Sequence, residues 1–368
     1  MSRAAVLTAV GQPLELRGDV HADPPRTGEV AVRMTAAGVC HSDVAMQQGT
    51  IPVPLPCVLG HEGAGVVEAV GPDVDGLAPG DTVVLSWVAQ CGACFYCRRG
   101  QPALCQQATV AMSSAGLLDG TARLQTPTGP LFQALGCGAF CEVTVVPAIA
   151  VVKVPSHVDP SVAALLGCAV VTGVGAALNT ADVRPGDTVA VIGCGGVGLN
   201  VIQGARIAGA AEIVAVDVHA DKLELARALG ATSVVLARER NPVAAVMDLT
   251  AQHGADVAFE VIGRGPTIDQ ALGMTRRGGQ TVLVGIPAMD VVIQIPAMVG
   301  LVLAEKTVKG CWLGSSDIRR DIPRLVELYG NGQLKLDELV SRRIDVAEVN
   351  AAFAAMEAGE VARSVVVY

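Results

Sequence analysis

Apolar residues along this chain come in short runs, most of them cut off by glycine. Near the start, "GEVAVRMTAAGVC", "GAGVVEAVG" and "GDTVVLSWV" are such runs, and each reads as a short strand closed by a turn. Together they predict an irregular β-rich domain. From Asp187 the pattern changes. An apolar strand, Thr188–Ile192, passes into a glycine turn and a helix-like segment, and a second strand, "EIVAVD", ends at Asp217. The same signal recurs at "ADVAFEVIG" and "GQTVLVGIP". This alternation predicts an open, mostly parallel sheet between about residues 170 and 312. The last part carries two helix-like stretches, "DIPRLVELYGNG" and "DVAEVNAAFAAMEAG", and a final strand, "RSVVVY". No internal repeat, low-complexity tract or long linker interrupts the series. The fold class is therefore α/β, a β-rich domain plus a parallel-sheet domain.

Composition agrees with two domains or one large divided one, since the chain has 368 residues. Hydrophobic residues make up 51% and aromatics only 3%, so the cores must be built from Ala, Val, Leu and Ile. A net charge of −9 argues against nucleic acid or an anionic membrane as partner. No secretory signal is visible at "MSRAAVLTAVGQPLELRGD", and the most apolar later stretch, "IPAMVGLVLAE", is too short to span a bilayer. A cytoplasmic protein is the expectation. In that compartment clustered cysteines mean metal or catalysis rather than disulfides.

Four of the eleven cysteines lie in "CGACFYCRRGQPALC", where Cys91, Cys94, Cys97 and Cys105 follow the spacing C-x2-C-x2-C-x7-C. Tetrahedral zinc needs four ligands, and thiolates two residues apart on a tight loop can share one ion. Two local disulfides or four free thiols are the alternatives. Four thiolates leave no open position for substrate, so this cluster reads as structural. A second set is spread along the chain: Cys40 in "GVCHSDVAMQQG", His61 in "LGHEGAGVVEAVG" and Cys168 in "LLGCAVVTGVGAA". Two Cys and one His make a shell whose fourth place can hold water or an alcohol oxygen. Each residue alone is weak evidence, because a lone Cys in an apolar run is usually core.

The glycine turn carries Gly193, Gly195 and Gly198 at G-x-G-x-x-G spacing, and Asp217 ends the next strand. Glycines permit close approach of a pyrophosphate to a helix N-terminus, and the acid can accept from adenosine ribose hydroxyls. Strand before, helix after and acid at the right distance make this signal strong. No Arg follows Asp217 in "DVHAD", which favours NAD over NADP.

These pieces in this order resemble the zinc-dependent medium-chain alcohol dehydrogenases, over essentially the whole chain: "CHSD", "GHEGAGVV", the four-cysteine lobe, "GCGGVG", "FEVIG", "VGIP" and "RSVVVY". The resemblance implies a GroES-like catalytic domain from residues 1–169 and 313–368, with a Rossmann NAD-binding domain at 170–312. It implies a catalytic zinc on Cys40, His61 and Cys168, with Glu62 able to exchange in, and a structural zinc on Cys91, Cys94, Cys97 and Cys105. Asp43 would hold His61, and Ser42 would contact the alcohol oxygen and carry its proton outward. Thr172 would touch the nicotinamide. Gly193, Gly195, Gly196, Val197 and Gly198, with Val261, Val284 and Ile286, would line the coenzyme site. Asp217 and Lys222 would bind the ribose, and His41 and Arg363 the pyrophosphate. The reaction implied is hydride transfer between an alcohol and NAD, assisted by zinc as a Lewis acid.

Two departures bear on substrate. The relay His of the best-known members is Ala45 here. The carboxylate-reading Asp and Arg of the glutathione-dependent formaldehyde class are replaced by Ile51 and Thr109. The pocket wall implied by the resemblance is Ile51, Trp87, Val110, Ala134, Leu135, Ile286 and Trp312, which suits an apolar, even aromatic, primary or secondary alcohol or aldehyde. The chain is also similar to the mycothiol-dependent formaldehyde dehydrogenases, which is the alternative enzyme reading. A non-catalytic NAD-binding protein is the alternative of another class, and it predicts lost zinc ligands where all seven are present. The stretch between Cys105 and Gly136 matches a long loop of dimeric members, and Val291–Leu303 is expected to pair across a two-fold axis. A homodimer is the expected assembly.

Overall fold

The computed structural model of the protein describes residues 1–114, 116–360 and 362–368. The chain divides into two compact units, Met1–Cys168 with Asp317–Tyr368, and Ala169–Ser316. The second break lies at Ser316, a little beyond the sequence expectation of 312.

The first unit is built on strand Glu29–Gly38, which is buried along most of its length. It pairs antiparallel with Glu62–Val70 and Val143–Pro147. It also pairs with Ser364–Val367, which returns from the far end of the sequence to residues 36–38. This is how "RSVVVY" joins a sheet begun in the first forty residues. A smaller closed barrel forms from Ser2–Leu7, Glu15–Ala22, Leu124–Thr126, Gly129–Gln133 and Cys57–Val58. The register of its last pair sets Val58 opposite Gln133. That pairing fixes the approach of the chain to His61.

The second unit holds six parallel strands in the spatial order Ser233–Leu236, Glu212–Asp217, Thr188–Ile192, Ala255–Glu260, Thr275–Leu283, Thr307–Gly310. Numbered along this unit the order is 3-2-1-4-5-6, the doubly wound arrangement. Chain direction across the sheet reverses between Thr188–Ile192 and Ala255–Glu260, so a crevice opens at their carboxyl ends. Part of the core consists of small aliphatic residues, among them Ala190, Val214, Val216, Ala258 and Ala271, with Met274 filling space. This is the core that so few aromatics require.

The longest apolar helical run is Pro160–Thr180, and it is almost wholly buried. It is long and apolar enough to cross a membrane by length and composition alone, whereas the sequence pointed to "IPAMVGLVLAE" as the most apolar later stretch. Asp159 caps its start by accepting from Ser161 N at 2.8 Å. Two π-helical turns, Leu166–Val170 and Ala176–Thr180, interrupt the α geometry. Such turns re-aim side chains and are frequent at functional sites. Cys168 sits in the first of them.

Candidate active site

Cys40 is the N-cap of a short helix, His41–Gln47, with extended backbone angles. The third residue of that helix, Asp43, is fully buried. Its carboxylate accepts from Cys40 N at 3.0 Å and Gly60 N at 3.1 Å, and it bonds His61 Nδ1 at 3.0 Å. With Nδ1–H committed to Asp43, His61 has its Nε2 lone pair free to ligate. One carboxylate thus fixes the spacing of Cys40 and His61. Cys168 reaches the same place from its π-turn, where Gly167 lies against strand Thr82–Leu85. A Cβ on Gly167 would run into the Leu85 carbonyl.

Ligand atoms of Cys40, His61, Glu62 and Cys168 all lie within 4.8 Å of one another, and all four residues are buried. Hydrogen bonding from Cys168 and the nearby Arg363 guanidinium hold the Cys40 thiol well below its usual range, against the effect of burial. Burial lifts the Glu62 carboxyl to about 8, opposed by Arg363. Neither Glu62 oxygen meets a hydrogen-bond donor in good geometry, and Arg363 Nη2 approaches Oε1 at 3.1 Å. Two thiols and the Glu62 carboxyl therefore face one guanidinium, deep in the protein. Such a donor set fits a divalent cation with Cys and His preferences, which is zinc. Two Cys and one His as ligands leave one coordination position open.

The second cluster is closed. Cys91 and Cys97 sulfurs stand 4.0 Å apart, and those of Cys94 and Cys105 stand 3.9 Å apart. Zn–S bonds of about 2.3 Å in a tetrahedron give sulfur separations of about 3.8 Å. Backbone amides of Ala93 and Cys94 point at Cys91 Sγ (3.4 and 3.3 Å), and Cys91 N points at Cys105 Sγ (3.3 Å). Amide donors favour thiolates, and backbone hydrogen bonds from the turn pull Cys94 down to about 6. Every ligand is protein, so this centre is structural.

In the second unit the chain turns at Gly193 with φ of 99°. Gly195 caps the helix Gly196–Ala208, and a Cβ on Gly198 would collide with the Gly193 carbonyl. The helix amides face the crevice at this end of the sheet, where an anion is stabilised. Asp217 Oδ2 accepts from Cys194 N at 2.7 Å and Oδ1 from His219 N at 3.0 Å. The acid therefore also braces the glycine loop. Lys222 stands half-buried on helix Ala220–Leu229. Val261 N donates to Ile192 O at 3.0 Å and Val284 N to Glu260 O at 2.8 Å, which aligns those loops at the switch point. Thr172 is buried, and its hydroxyl has no hydrogen-bond partner, which fits a residue waiting for a ligand.

Glu260 is a site-shaping residue that sequence reasoning missed. It is fully buried and accepts from Ile262 N (2.9 Å), Gly263 N (2.8 Å) and Thr267 Oγ1 (2.7 Å). The signal was the acid closing the apolar run "VAFE".

The other predicted residues are placed as follows. Ser42 is half-buried, its Oγ 3.9 Å from Cys40 Sγ, and His41 is exposed. Arg363, expected at a pyrophosphate, is buried and donates from Nη1 to Val39 O at 2.8 Å besides meeting Glu62. Within the first unit Trp87 and Ala134 are buried and Ile51 half-buried, and Leu135 takes a left-handed φ of 52°. Val110 lies exposed on helix Gln106–Ser114. In the second unit Ile286 is exposed and Trp312 half-buried.

A metal centre with an open place and a dinucleotide-type crevice define a metal-dependent dehydrogenase. The sequence model of the alcohol dehydrogenase GroES-like domain matches residues 26–156, and that of the zinc-binding dehydrogenase domain matches 196–330. S-(hydroxymethyl)glutathione dehydrogenases of Synechocystis and Escherichia coli are 38% identical over 370 residues, covering all of both chains. A Burkholderia ambifaria alcohol dehydrogenase zinc-binding domain protein superposes with TM-score 0.94 at 35% identity, over 100% of this chain and 98% of that one. Benzyl alcohol dehydrogenase of Acinetobacter calcoaceticus superposes with TM-score 0.93 at 33% identity, over 100% and 99%. The chain belongs to the zinc-dependent alcohol dehydrogenase family. It is an oxidoreductase with a four-cysteine zinc site and a Cys40–His61–Cys168 site of catalytic type, in a family where NAD is the typical coenzyme.

Proposed function

We propose that the protein oxidises an apolar, preferably aromatic, alcohol to its aldehyde or ketone with NAD, and runs the reverse reduction with the same residues. The observation that carries this is the buried Cys40–His61–Glu62–Cys168 centre, whose Asp43 brace holds two ligands at once. When bound, zinc supplies Lewis acidity and NAD the hydride acceptor. Asp43 keeps His61 in the ligating tautomer. Arg363 holds the Glu62 carboxylate beside the ligands and balances its charge. Ser42 Oγ would accept the alcohol proton while releasing its own, and with Ala45 in place of a relay His that proton would go on to water, His41 or the ribose of a bound coenzyme. Asp217 selects NAD, because a 2′-phosphate would meet a carboxylate. The test is NADH formation from short, long, terpenoid and benzylic alcohols. Benzylic activity supports the reading, and activity confined to a thiol–formaldehyde adduct overturns it.

One observation favours a second reading. The full-length relatives named above carry S-(hydroxymethyl)glutathione dehydrogenase as their name. An adduct of glutathione or mycothiol with formaldehyde belongs in the same screen. Against it, Ile51 and Thr109 offer no charge to a substrate carboxylate.

The proposal extends to assembly and place. Met289, Val292, Met298, Val299 and Val302 are each more than half exposed, a strip of apolar surface within one segment. A second copy of the chain covers it in our reading, making a homodimer. None of the eleven cysteines forms a disulfide, which suits a cytoplasmic location.

A further inference from the structure

Strands Thr188–Ile192 and Ala255–Glu260 lie side by side where the strand order of the sheet reverses. In such a fold the crevice opens beyond the carboxyl ends of those two strands. The second of them ends in Glu260, a carboxylate with no exposed surface. Burying a charge is costly unless donors surround it. Here Oε1 accepts from Ile262 N at 2.9 Å, Gly263 N at 2.8 Å and Thr267 Oγ1 at 2.7 Å, and Oε2 accepts from Gly263 N at 3.0 Å. The chain that leaves the strand is thus folded back onto the acid that ends it.

Two neighbouring loops are drawn in as well. The Glu260 carbonyl accepts from Val284 N at 2.8 Å and Gly285 N at 3.0 Å, the residues that follow strand Thr275–Leu283. Gly263 is left-handed, with φ of 83°, and a Cβ there would run into the Ile286 backbone. A Cβ on Gly285 would run into Gly263 N. On the opposite side Val261 N donates to Ile192 O at 3.0 Å, and a Cβ on Gly193 would press on Ile262 Cγ1 at 2.7 Å. Ile262 therefore lies against the glycine turn, and it is still 42% exposed, so it presents apolar surface beside that turn. The loops after three adjacent strands interlock around one residue.

We infer that Glu260 is a positioning residue for the coenzyme. Its carboxylate holds the 261–263 loop against the glycine turn, and that hold sets how tightly a dinucleotide binds in the crevice. The inference rests on the proposed reading that NAD binds there. Without the carboxylate the Ile262 and Gly263 amides lose their acceptor, and the loop keeps this position in only a fraction of the molecules. Apparent affinity is scaled by that fraction.

The test is NADH binding to the zinc-loaded enzyme, followed by nicotinamide fluorescence, for wild type, Glu260→Ala and Glu260→Gln. Zinc content and melting temperature are measured on the same samples. Glu260→Gln keeps an oxygen where Oε1 stands, and with it the bonds from Ile262, Gly263 and Thr267. One hydrogen bond to a charged group corresponds to about tenfold in an equilibrium. The Kd for NADH should rise about tenfold or more in Glu260→Ala and stay within about threefold of wild type in Glu260→Gln, with zinc content unchanged in both. A Glu260→Ala protein that melts earlier but binds NADH as wild type does overturns the inference, since the acid then only supports the fold. So does a Glu260→Gln protein as weak as Glu260→Ala. If Glu260→Ala does not fold, Thr267→Val removes one donor and leaves the acid in place. A Kd raised about fivefold in that variant supports the inference, and an unmoved one overturns it. Wild type that carries its zinc and binds no NADH overturns the parent reading instead.

Discussion

Asp43 shows how much of a metal site can depend on a residue that is not a ligand. It bonds the backbone of Cys40 and Gly60 and the ring of His61, so both ligands lose their setting if its charge goes. Asp43→Asn cannot accept from all three with one carbonyl oxygen. Affinity for the catalytic zinc should fall about 10–100-fold, and zinc in the four-cysteine site should stay. Competition against a chelator would show it; equal loss from both sites would mean that Asp43 supports the fold rather than the ligand. A second residue-scale prediction concerns Ala45, half-buried on the same short helix. Ala45→His should add a base titrating near 6.5 and speed alcohol oxidation between about pH 6 and 7.5. The sign follows because neutral imidazole, the form present above its pKa, is the proton acceptor. An unchanged pH profile would show that another group already carries the proton out.

Among the elements, the glycine loop and the cysteine lobe invite different tests. Asp217 holds Cys194 N, and in our proposal it also binds the ribose. Replacing it with Gly, together with Val218→Arg, should relax the NAD preference towards NADP and also weaken both coenzymes by freeing the loop. Tighter binding of NAD in that variant would contradict the double role. The lobe from Cys91 to Cys105 has only two short helical turns, Phe95–Arg98 and Pro102–Leu104, and Phe95 and Leu104 are exposed. With so little core it depends on its ion, and structural zinc is worth about 10–16 kcal/mol in small peptides. Cys97→Ser should therefore aggregate or melt early, while Cys40→Ser should fold and lose turnover. Soluble, inactive Cys97→Ser protein would mean the two sites have been assigned in reverse.

Much at this scale was legible in the sequence. Strands Thr188–Ile192 and Glu212–Asp217 end where the apolar runs end, since a buried parallel strand needs an unbroken apolar run and a glycine or acid stops it. Strands Ser233–Leu236 and Thr307–Gly310 escaped notice, being four residues each and partly exposed. The four-cysteine ligands could be named from residue type and spacing, and Cys40, His61 and Cys168 through the family resemblance. Glu260 could not be named, because its role comes from bonds to backbone groups of other loops, which no local pattern encodes. Arg363 shows the limit of motif reading: its charge alone suggests a solvated surface residue, whereas it is buried against Glu62, a pairing that no local pattern encodes.

At the scale of the whole molecule, a chain of net charge −9 leaves one segment apolar and exposed. Val292→Asp in that segment should convert a dimer to monomer by light scattering, and a wild-type monomer would refute the assembly. A zinc-dependent, NAD-linked alcohol dehydrogenase with one open and one closed metal site should lose and regain activity with the ion of its open site. This is tested most directly by following zinc content and NADH formation from benzyl alcohol together, during chelation and zinc return. About two zinc ions per chain are expected at the start. Activity should vanish as the first is withdrawn, with the fold intact, and return when zinc is restored. Turnover that survives removal of that ion, or none while both ions and NAD are bound, would contradict the account.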